Sequence, residues 1–323
     1  MRLLTIDDII DTFTKFYQRG SNFIFSKLSF NSETRIKSAF NKSAIYSSNW
    51  WIIPYIQQRW NKLITGNPNI NYEAYFVDKY LKNKKGLKLI SLGSGTCSHE
   101  LKLAKYNVFE EIICVDFVQS RLDEASKIAE KENLNNIQFI CADANNMEIK
   151  NAYFDIVFFH SSLHHFNHIE SFFKNIINKT LKPKGLLVIN EYVGKNRLQF
   201  NNSQIKAVNQ SLKIINKKYR TRYKFNSIKK SFYGSGLIRM IIADPSECID
   251  SENILPTIKK YFKTLEEKPY GGNILMNTLK DISHHFTTLN KEKKQILDDL
   301  FDFEDQYLLE NHSDFIFGIY EKV

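Results

Sequence analysis

The chain is 323 residues long, 43% hydrophobic and 25% charged, proportions that bury a full core and exclude disordered, fibrous and collagen-like classes. No run of about 18 uninterrupted apolar residues occurs, which argues against a hydrophobic transmembrane helix. The amino terminus turns acidic at Asp7 and Asp8, where a signal peptide stays apolar, so a cytoplasmic location is expected. The formal charge of +10 is unevenly placed: residues 195–240 hold twelve Lys and Arg and no acid, leaving about −2 for the remainder.

Cys97, Cys114, Cys141 and Cys248 form no C-x-x-C pair, so neither structural zinc nor a disulfide framework is expected. Cys114 and Cys141 each stand two residues before an acid at an expected strand end, and they are expected to pack together as free thiols.

Residues 1–85 read as a helical amino-terminal cap. Ile6, Ile9, Ile10, Phe13, Phe16 and Tyr17 recur at helical spacing. A second helix is expected over Trp50–Ile64, with Pro54 tolerable in its first turn. Asn71 is placed to cap a third over Tyr72–Leu81. Trp50, Trp51 and Trp60 serve to pack this cap, and Arg59, beside Trp60, is a candidate cofactor contact.

From 86 to 193 strand and helix patterns alternate. Leu87, Leu89, Ile90 and Leu92 form an apolar strand that breaks into Gly93-Ser94-Gly95, followed by an amphipathic stretch. Strands are expected at Ile112–Val115, Ile137–Ala142, Phe154–Phe159 and Leu186–Ile189, with helical stripes around Leu122–Ala129 and Ile169–Leu181. Such alternation predicts an α/β fold, a doubly wound parallel sheet with helices on both faces, in which ligands sit at the carboxyl ends of the strands. Residues 194–243 are expected to be a basic helical insert over the active site, with one helix carrying Ile205, Val208, Leu212, Ile215 and Tyr219 on a common face. Residues 244–323 complete the sheet through a helix over Ile249–Phe262, a strand near Thr264–Glu266, further helices and a last strand, Phe315–Tyr320.

Gly93 and Gly95 let the backbone turn sharply while the following helix points free N–H groups at a ligand. Asp116 lies 23 residues beyond Gly93 at a strand end, where a carboxylate accepts both hydroxyls of an adenosine ribose. Ser98 replaces the third glycine of the dinucleotide fingerprint, and a second strand-end acid, Asp143, suits an adenine amino group. His160, His164 and His168 recur every four residues, but the first lies on a strand end, and no metal is assigned.

Taken together, these segments resemble the class I S-adenosylmethionine-dependent (SAM-dependent) methyltransferases. Leu-Gly-Ser-Gly-Thr-Cys at 92–97 is similar to their first motif, Val115-Asp116 to their ribose acid, Ala142-Asp143-Ala144 to their adenine site, and Phe154-Asp155-Ile156-Val157 with Ser162-Leu163-His164-His165-Phe166 to their fourth-strand region. Leu181-Lys182-Pro183-Lys184-Gly185 matches the turn before their fifth strand, and Cys97 departs from a usual glycine.

The resemblance implies a Rossmann-like sheet of seven strands with the last antiparallel. It implies SAM as cofactor, held by Gly93, Ser94, Gly95, Asp116, Phe117, Asp143, Ala144 and His160, and S-adenosylhomocysteine as product. It makes His164 or His165 a candidate general base; Glu191, by its place at the end of the fifth strand, is a candidate base, orienting group or metal ligand, or equally a salt-bridge partner of the basic segment. By position along the chain, Tyr192, Arg197, Tyr233, Arg239 and Tyr270 are candidate acceptor contacts, with core packing the competing reading for the tyrosines. A sugar, glycan or other small molecule is the expected acceptor. The basic segment leaves four readings open: an anionic acceptor, a membrane leaflet, RNA, or a solvated face with no partner. An RNA methyltransferase is therefore an alternative, although the Asn/Asp/Ser-Pro-Pro-Tyr/Phe signature is absent after the fourth strand. An NAD(P)-binding oxidoreductase is another, although no Tyr-x-x-x-Lys pair stands in the expected place, and a non-catalytic SAM-binding module is a third.

Overall fold

Apolar runs such as Leu89–Leu92 and Ile112–Val115 show no alternation of buried and exposed positions, and strands of that kind need cover on both faces. In the computed structural model, which describes residues 1–19, 48–148, 150–225 and 227–323, and the side chains of the first helix only as far as residue 13, they form the middle of a seven-stranded sheet. The strands are β1 (Leu87–Leu92), β2 (Phe109–Asp116), β3 (Ile137–Cys141), β4 (Phe154–His160), β5 (Leu181–Tyr192), β6 (Phe262–Gly271) and β7 (Phe315–Lys322), ordered β3-β2-β1-β4-β5-β7-β6. The pairs β3–β2, β2–β1, β1–β4 and β4–β5 are parallel, and the last strand is antiparallel. The strand order reverses between β1 and β4, so the loops leaving these two strands diverge to opposite sides and open a crevice at their carboxyl ends.

By contact density the chain divides into two compact units. One comprises residues 61–193, 249–269 and 316–323 and contains the body of the sheet; the other comprises 1–60, 194–248 and 270–315. The core of the first is built from Val157, Phe159, Leu163, Phe173, Leu187, Ile189 and Tyr320, all at or near zero exposure. The second is helical and has two apolar clusters. One packs Trp50, Ile53, Ile56, Leu279, Phe286, Leu297 and Leu300; the other packs Phe200, Val208, Phe232 and Ile274.

The helix over Tyr72–Tyr80 is capped as expected, with Asn71 Oδ1 accepting from the Ala74 N–H at 2.9 Å. Trp50–Ile52 is a separate 3-10 turn, and the helix begins at Pro54, whose missing N–H costs nothing at a first helical position. Trp50 and Trp60 meet edge to face at 4.7 Å, whereas Trp51 is exposed. Phe16 and Tyr17 lie outside the described side chains. The helix expected through Tyr219 stops at Ser211, and Lys217–Tyr219 is a 3-10 turn. Cys114 and Cys141 do not pack together: register sets Cys114 opposite Phe139, Cys141 is exposed, and the thiol that Cys114 meets is Cys97.

β5 begins earlier than its apolar run because the Lys182–Gly185 turn is looped out of the ladder. Phe154 pairs with Leu181 and Ile156 already with Leu186. Lys184 in that loop has φ +59°, and a Cβ on Gly185 would lie 2.9 Å from the Lys182 carbonyl oxygen and 3.2 Å from that of Asp155. Backbone cannot yield as a flexible side chain would. Gly185→Ala should therefore cost about 1–3 kcal/mol, read as a lower urea midpoint; an unchanged midpoint would show that the loop relaxes freely.

Candidate active site

Three loops meet at the strand-order reversal. The first, after β1, is pinned to the end of β2: the Gly93 and Ser94 N–H groups donate to the Val115 carbonyl at 2.8 and 3.0 Å, and the Gly95 N–H donates to Asp116 Oδ2 at 2.8 Å. Gly93 has φ +72°, and a Cβ there would lie 2.9 Å from the Ser162 Cβ, so the loops after β1 and β4 touch only because this residue has no side chain. Cys97 also sits in the left-handed region, at φ +53°, as the residue that starts the helix Ser98–Ala104.

The second loop follows β2. Asp116 is 6% exposed and accepts the Val118 N–H on Oδ1 at 2.8 Å. Each of its oxygens thus receives one backbone donor and retains a second acceptor position. Arg121 lies beside it, 3.2 Å from where a Cβ on Gly95 would stand, a cation that only the folded loop brings near. After β3, Asp143 accepts from the Asn145 backbone at 2.9 Å and from the Asn146 side chain at 2.7 Å, and Ala144 is buried.

The third loop follows β4 and is organised by Glu191, at 0% exposure near the end of β5. Its carboxylate accepts from the backbone N–H groups of Ser162, Leu163 and Tyr192, the Leu163 bond being 2.7 Å, and from His164 Nδ1 at 2.7 Å. Ser162 Oγ donates to the Leu92 carbonyl at 2.9 Å, and the His164 carbonyl accepts from the Ile249 N–H. His165 packs on His164 with ring centroids 4.3 Å apart, and Tyr192 stands edge to face with His164 at 6.3 Å.

A model of the methyltransferase-domain family matches residues 83–297. The chain belongs to that family. It is a SAM-dependent methyltransferase, and S-adenosylmethionine is its cofactor. None of the curated proteins compared with it matches. Among solved structures, it is similar to the cyclase SpnF (14% identity, 83% of this chain and 94% of that one, TM-score 0.47). It is similar also to the YcgJ protein of Bacillus subtilis (15%, 78% and 95%, 0.42). A third is phosphoethanolamine N-methyltransferase 2 of Haemonchus contortus, in complex with phosphomonomethylethanolamine and S-adenosylhomocysteine (17%, 83% and 56%, 0.47). The family assignment rests on the family model.

The methyltransferase's strand ends suit that cofactor. Asp116 is preorganised by two backbone donors and keeps acceptor positions open toward a ligand, and the glycine loop before it turns through positive φ at Gly93 and Gly95. Gly93, Ser94, Gly95, Asp116, Phe117, Asp143 and Ala144 stand on the loops after β1, β2 and β3, with His164, His165, Glu191 and Tyr192 in the same unit.

Other expected contacts have structural partners. His160 hydrogen-bonds the Tyr72 hydroxyl through Nδ1 at 2.8 Å and stacks on His99 at 3.5 Å, and burial with neighbouring cations holds its pKa well below the ordinary value. Arg59 belongs to the helical unit, forked onto Asp305 at 2.6 and 3.2 Å. The expected acceptor contacts Arg197, Tyr233, Arg239 and Tyr270 belong to that unit too. There Arg197 donates to the Glu247 carbonyl at 3.2 Å, Arg239 pairs with Asp8 and Asp11, Tyr270 packs on Trp60 and Phe315, and Tyr233 is exposed.

Sequence reasoning missed the polar layer behind the glycine loop. Glu73, 1% exposed, holds His99 Nδ1 at 2.7 Å and Lys102 Nζ at 2.9 Å. Burial alone would raise the Glu73 carboxyl, but these donors bring it below its usual value. Nothing in the sequence marks Glu73 beyond its place in the first turn of a capped helix.

The depressed pKa of His160 makes a pH prediction. Between the folded value and the ordinary 6.5 the unfolded chain binds the extra proton, so this residue's contribution is complete above pH 6.5 and lost as pH falls below it. The slope is at most about 1.4 kcal/mol per pH unit. The stability difference between wild type and His160→Gln, from urea melts, should shrink from pH 7 toward pH 5; a difference independent of pH would contradict it.

Proposed function

We propose that the chain transfers a methyl group to an oxygen of a small hydroxylated acceptor, a sugar, glycan unit or comparable molecule, with His164 as general base and Glu191 as the carboxylate that orients it. The observation that carries this reading is the Glu191–His164 pair. With Nδ1 donating to the carboxylate, Nε2 is the basic nitrogen of the ring, and a fully buried anion behind it stabilises the imidazolium that forms on proton uptake.

When bound, SAM supplies a sulfonium methyl group that an oxygen nucleophile takes by in-line displacement. Asp116 would hold the ribose hydroxyls and the Gly93–Gly95 loop the remainder of the cofactor. His164 would take the acceptor's hydroxyl proton at Nε2, and His165 and Tyr192 would shape the wall beside it. An acceptor whose nucleophile carries no proton would need no such base, which is why the pair favours a hydroxyl.

The RNA reading has weaker support. Arg222 is ion-paired with Asp281, Lys229 is buried against two carbonyl oxygens and Arg239 is held by two aspartates, so these cations of the basic segment have partners inside their own unit.

His164→Ala should lower kcat by about 10²–10⁴ while the Kd for SAM, measured by calorimetry, changes little. Equal losses in both would make the histidine a wall of the cofactor pocket. Asp116→Ala should weaken SAM binding roughly 10–100-fold through the loss of two charge-assisted hydrogen bonds, and an unchanged Kd would remove Asp116 from the cofactor site.

A further inference from the structure

The helix Ile6–Arg19 is amphipathic with its usual faces exchanged. Asp7, Asp8 and Asp11 are 8%, 5% and 5% exposed, whereas Ile6, Ile9 and Phe13 are 51%, 61% and 54% exposed. The acids are turned inward because backbone donors and cations wait for them. Asp7 accepts the Tyr233 and Gly234 N–H groups, and Asp8 accepts the Gly236 N–H and Arg239 Nε, both at 2.9 Å. Asp11 meets Arg239 at 3.0 Å and Lys280 at 2.6 Å.

A second helix is locked beside the first. The Leu237 and Ile238 N–H groups at its start donate to the Arg2 and Leu3 carbonyls at 2.8 and 3.2 Å, and this helix, Leu237–Ala243, also turns Ile238, Ile241 and Ile242 outward, each above 40% exposed. Two helices joined at their starts thus carry six exposed large apolar side chains on one unit. Apolar side chains concentrated in this way mark an interaction site more often than the single apolar residues scattered on a monomer do.

We propose that this face seats on an anionic lipid bilayer, as an interfacial platform. Charge selects that occupant. The acids of residues 1–13 are buried, residues 195–243 contain none, and Lys206 and Lys230 are exposed on the segments that flank Arg2 and Tyr233. The same unit thus carries exposed apolar side chains and exposed cations, the composition that binds in the headgroup region of acidic membranes. A second copy is disfavoured as the occupant, since each chain carries +10 and like faces would bring like charges together. The proposal is independent of the methyl-transfer chemistry.

The test is co-sedimentation of the full chain with vesicles of phosphatidylcholine alone and of phosphatidylcholine mixed with phosphatidylglycerol, with light scattering on the lipid-free protein. Binding should require the acidic lipid and weaken with salt. Ile9→Glu and, separately, Ile241→Glu should each reduce the bound fraction roughly tenfold, with the thermal midpoint unchanged because both side chains already face solvent. Absence of binding to acidic vesicles, or binding that neither substitution weakens, would overturn the proposal. So would a dimer that either substitution dissociates, which would assign the face to a second copy.

Discussion

The architecture of the site depends on one buried anion. A carboxylate removed from water is tolerated only when its lone pairs are satisfied, and Glu191 achieves this by accepting from three backbone N–H groups and one imidazole. These donors come from two directions. The Tyr192 N–H is its own strand's continuation, while Ser162, Leu163 and His164 form the turn after β4. The carboxylate thus ties β5 to the neighbouring loop and fixes the 3-10 turn Leu163–His165 that carries both histidines. Replacing it with an apolar residue would leave buried donors unpaired at each of these positions, so the turn and the orientation of the ring stand or fall together.

That turn in turn constrains the glycine loop. Ser162 is held by its backbone on Glu191 and by its hydroxyl on the Leu92 carbonyl, and it occupies the space a Gly93 side chain would need. Cys97 is the one residue of the loop that resists this logic, since a non-glycine residue in the left-handed region costs of order 1 kcal/mol. Its burial offers compensation: the thiol packs on Ser94 Oγ at 3.3 Å and meets Cys114, whose own thiol is pushed up by burial and by that contact. A glycine would relieve the backbone and leave a void under the loop, so the departure from the family's pattern is a packing solution with its own cost.

Much of this was legible before any coordinates. The strands announced themselves as apolar runs because strands buried on both faces have no polar positions, and Asp116, Asp143 and Glu191 were visible as acids at their ends. What was not legible was which partner each polar group would find. His160 lay at a strand end like the others, yet Tyr72 and His99, 88 and 61 residues away in sequence, claim its ring. Arg59 was a candidate cofactor contact, and in the structure Asp305, far along the chain, holds its guanidinium. Pairings across such separations leave no local pattern. The basic segment divides in the same way: seven of its twelve cations, Lys206 and Lys230 among them, are exposed, but Arg222 and Lys229 fold inward onto Asp281 and onto the carbonyls of Asn277 and Lys280. Burial pulls the Lys229 pKa down to about 7, a sign that this amine is no part of a solvated cationic face.

The first helix makes the limit sharpest. At 3.6 residues per turn, Asp7, Asp8 and Asp11 centre on one side of the helix, and Ile6, Ile9 and Phe13 centre on the opposite side. Periodicity gave both the helix and its two faces. Convention then assigns the apolar face to the core, because burying aliphatic surface is ordinarily the larger gain. Here the inward face is decided by the demand of unpaired donors: the backbone from Tyr233 to Gly236 and the cations Arg239 and Lys280 need acceptors, and the three aspartates supply them. Leaving those donors buried and unmet would cost more than leaving three apolar side chains in water, each of which can still recover its hydration cost against a second surface. The sign of an amphipathic helix is therefore set by what it packs against.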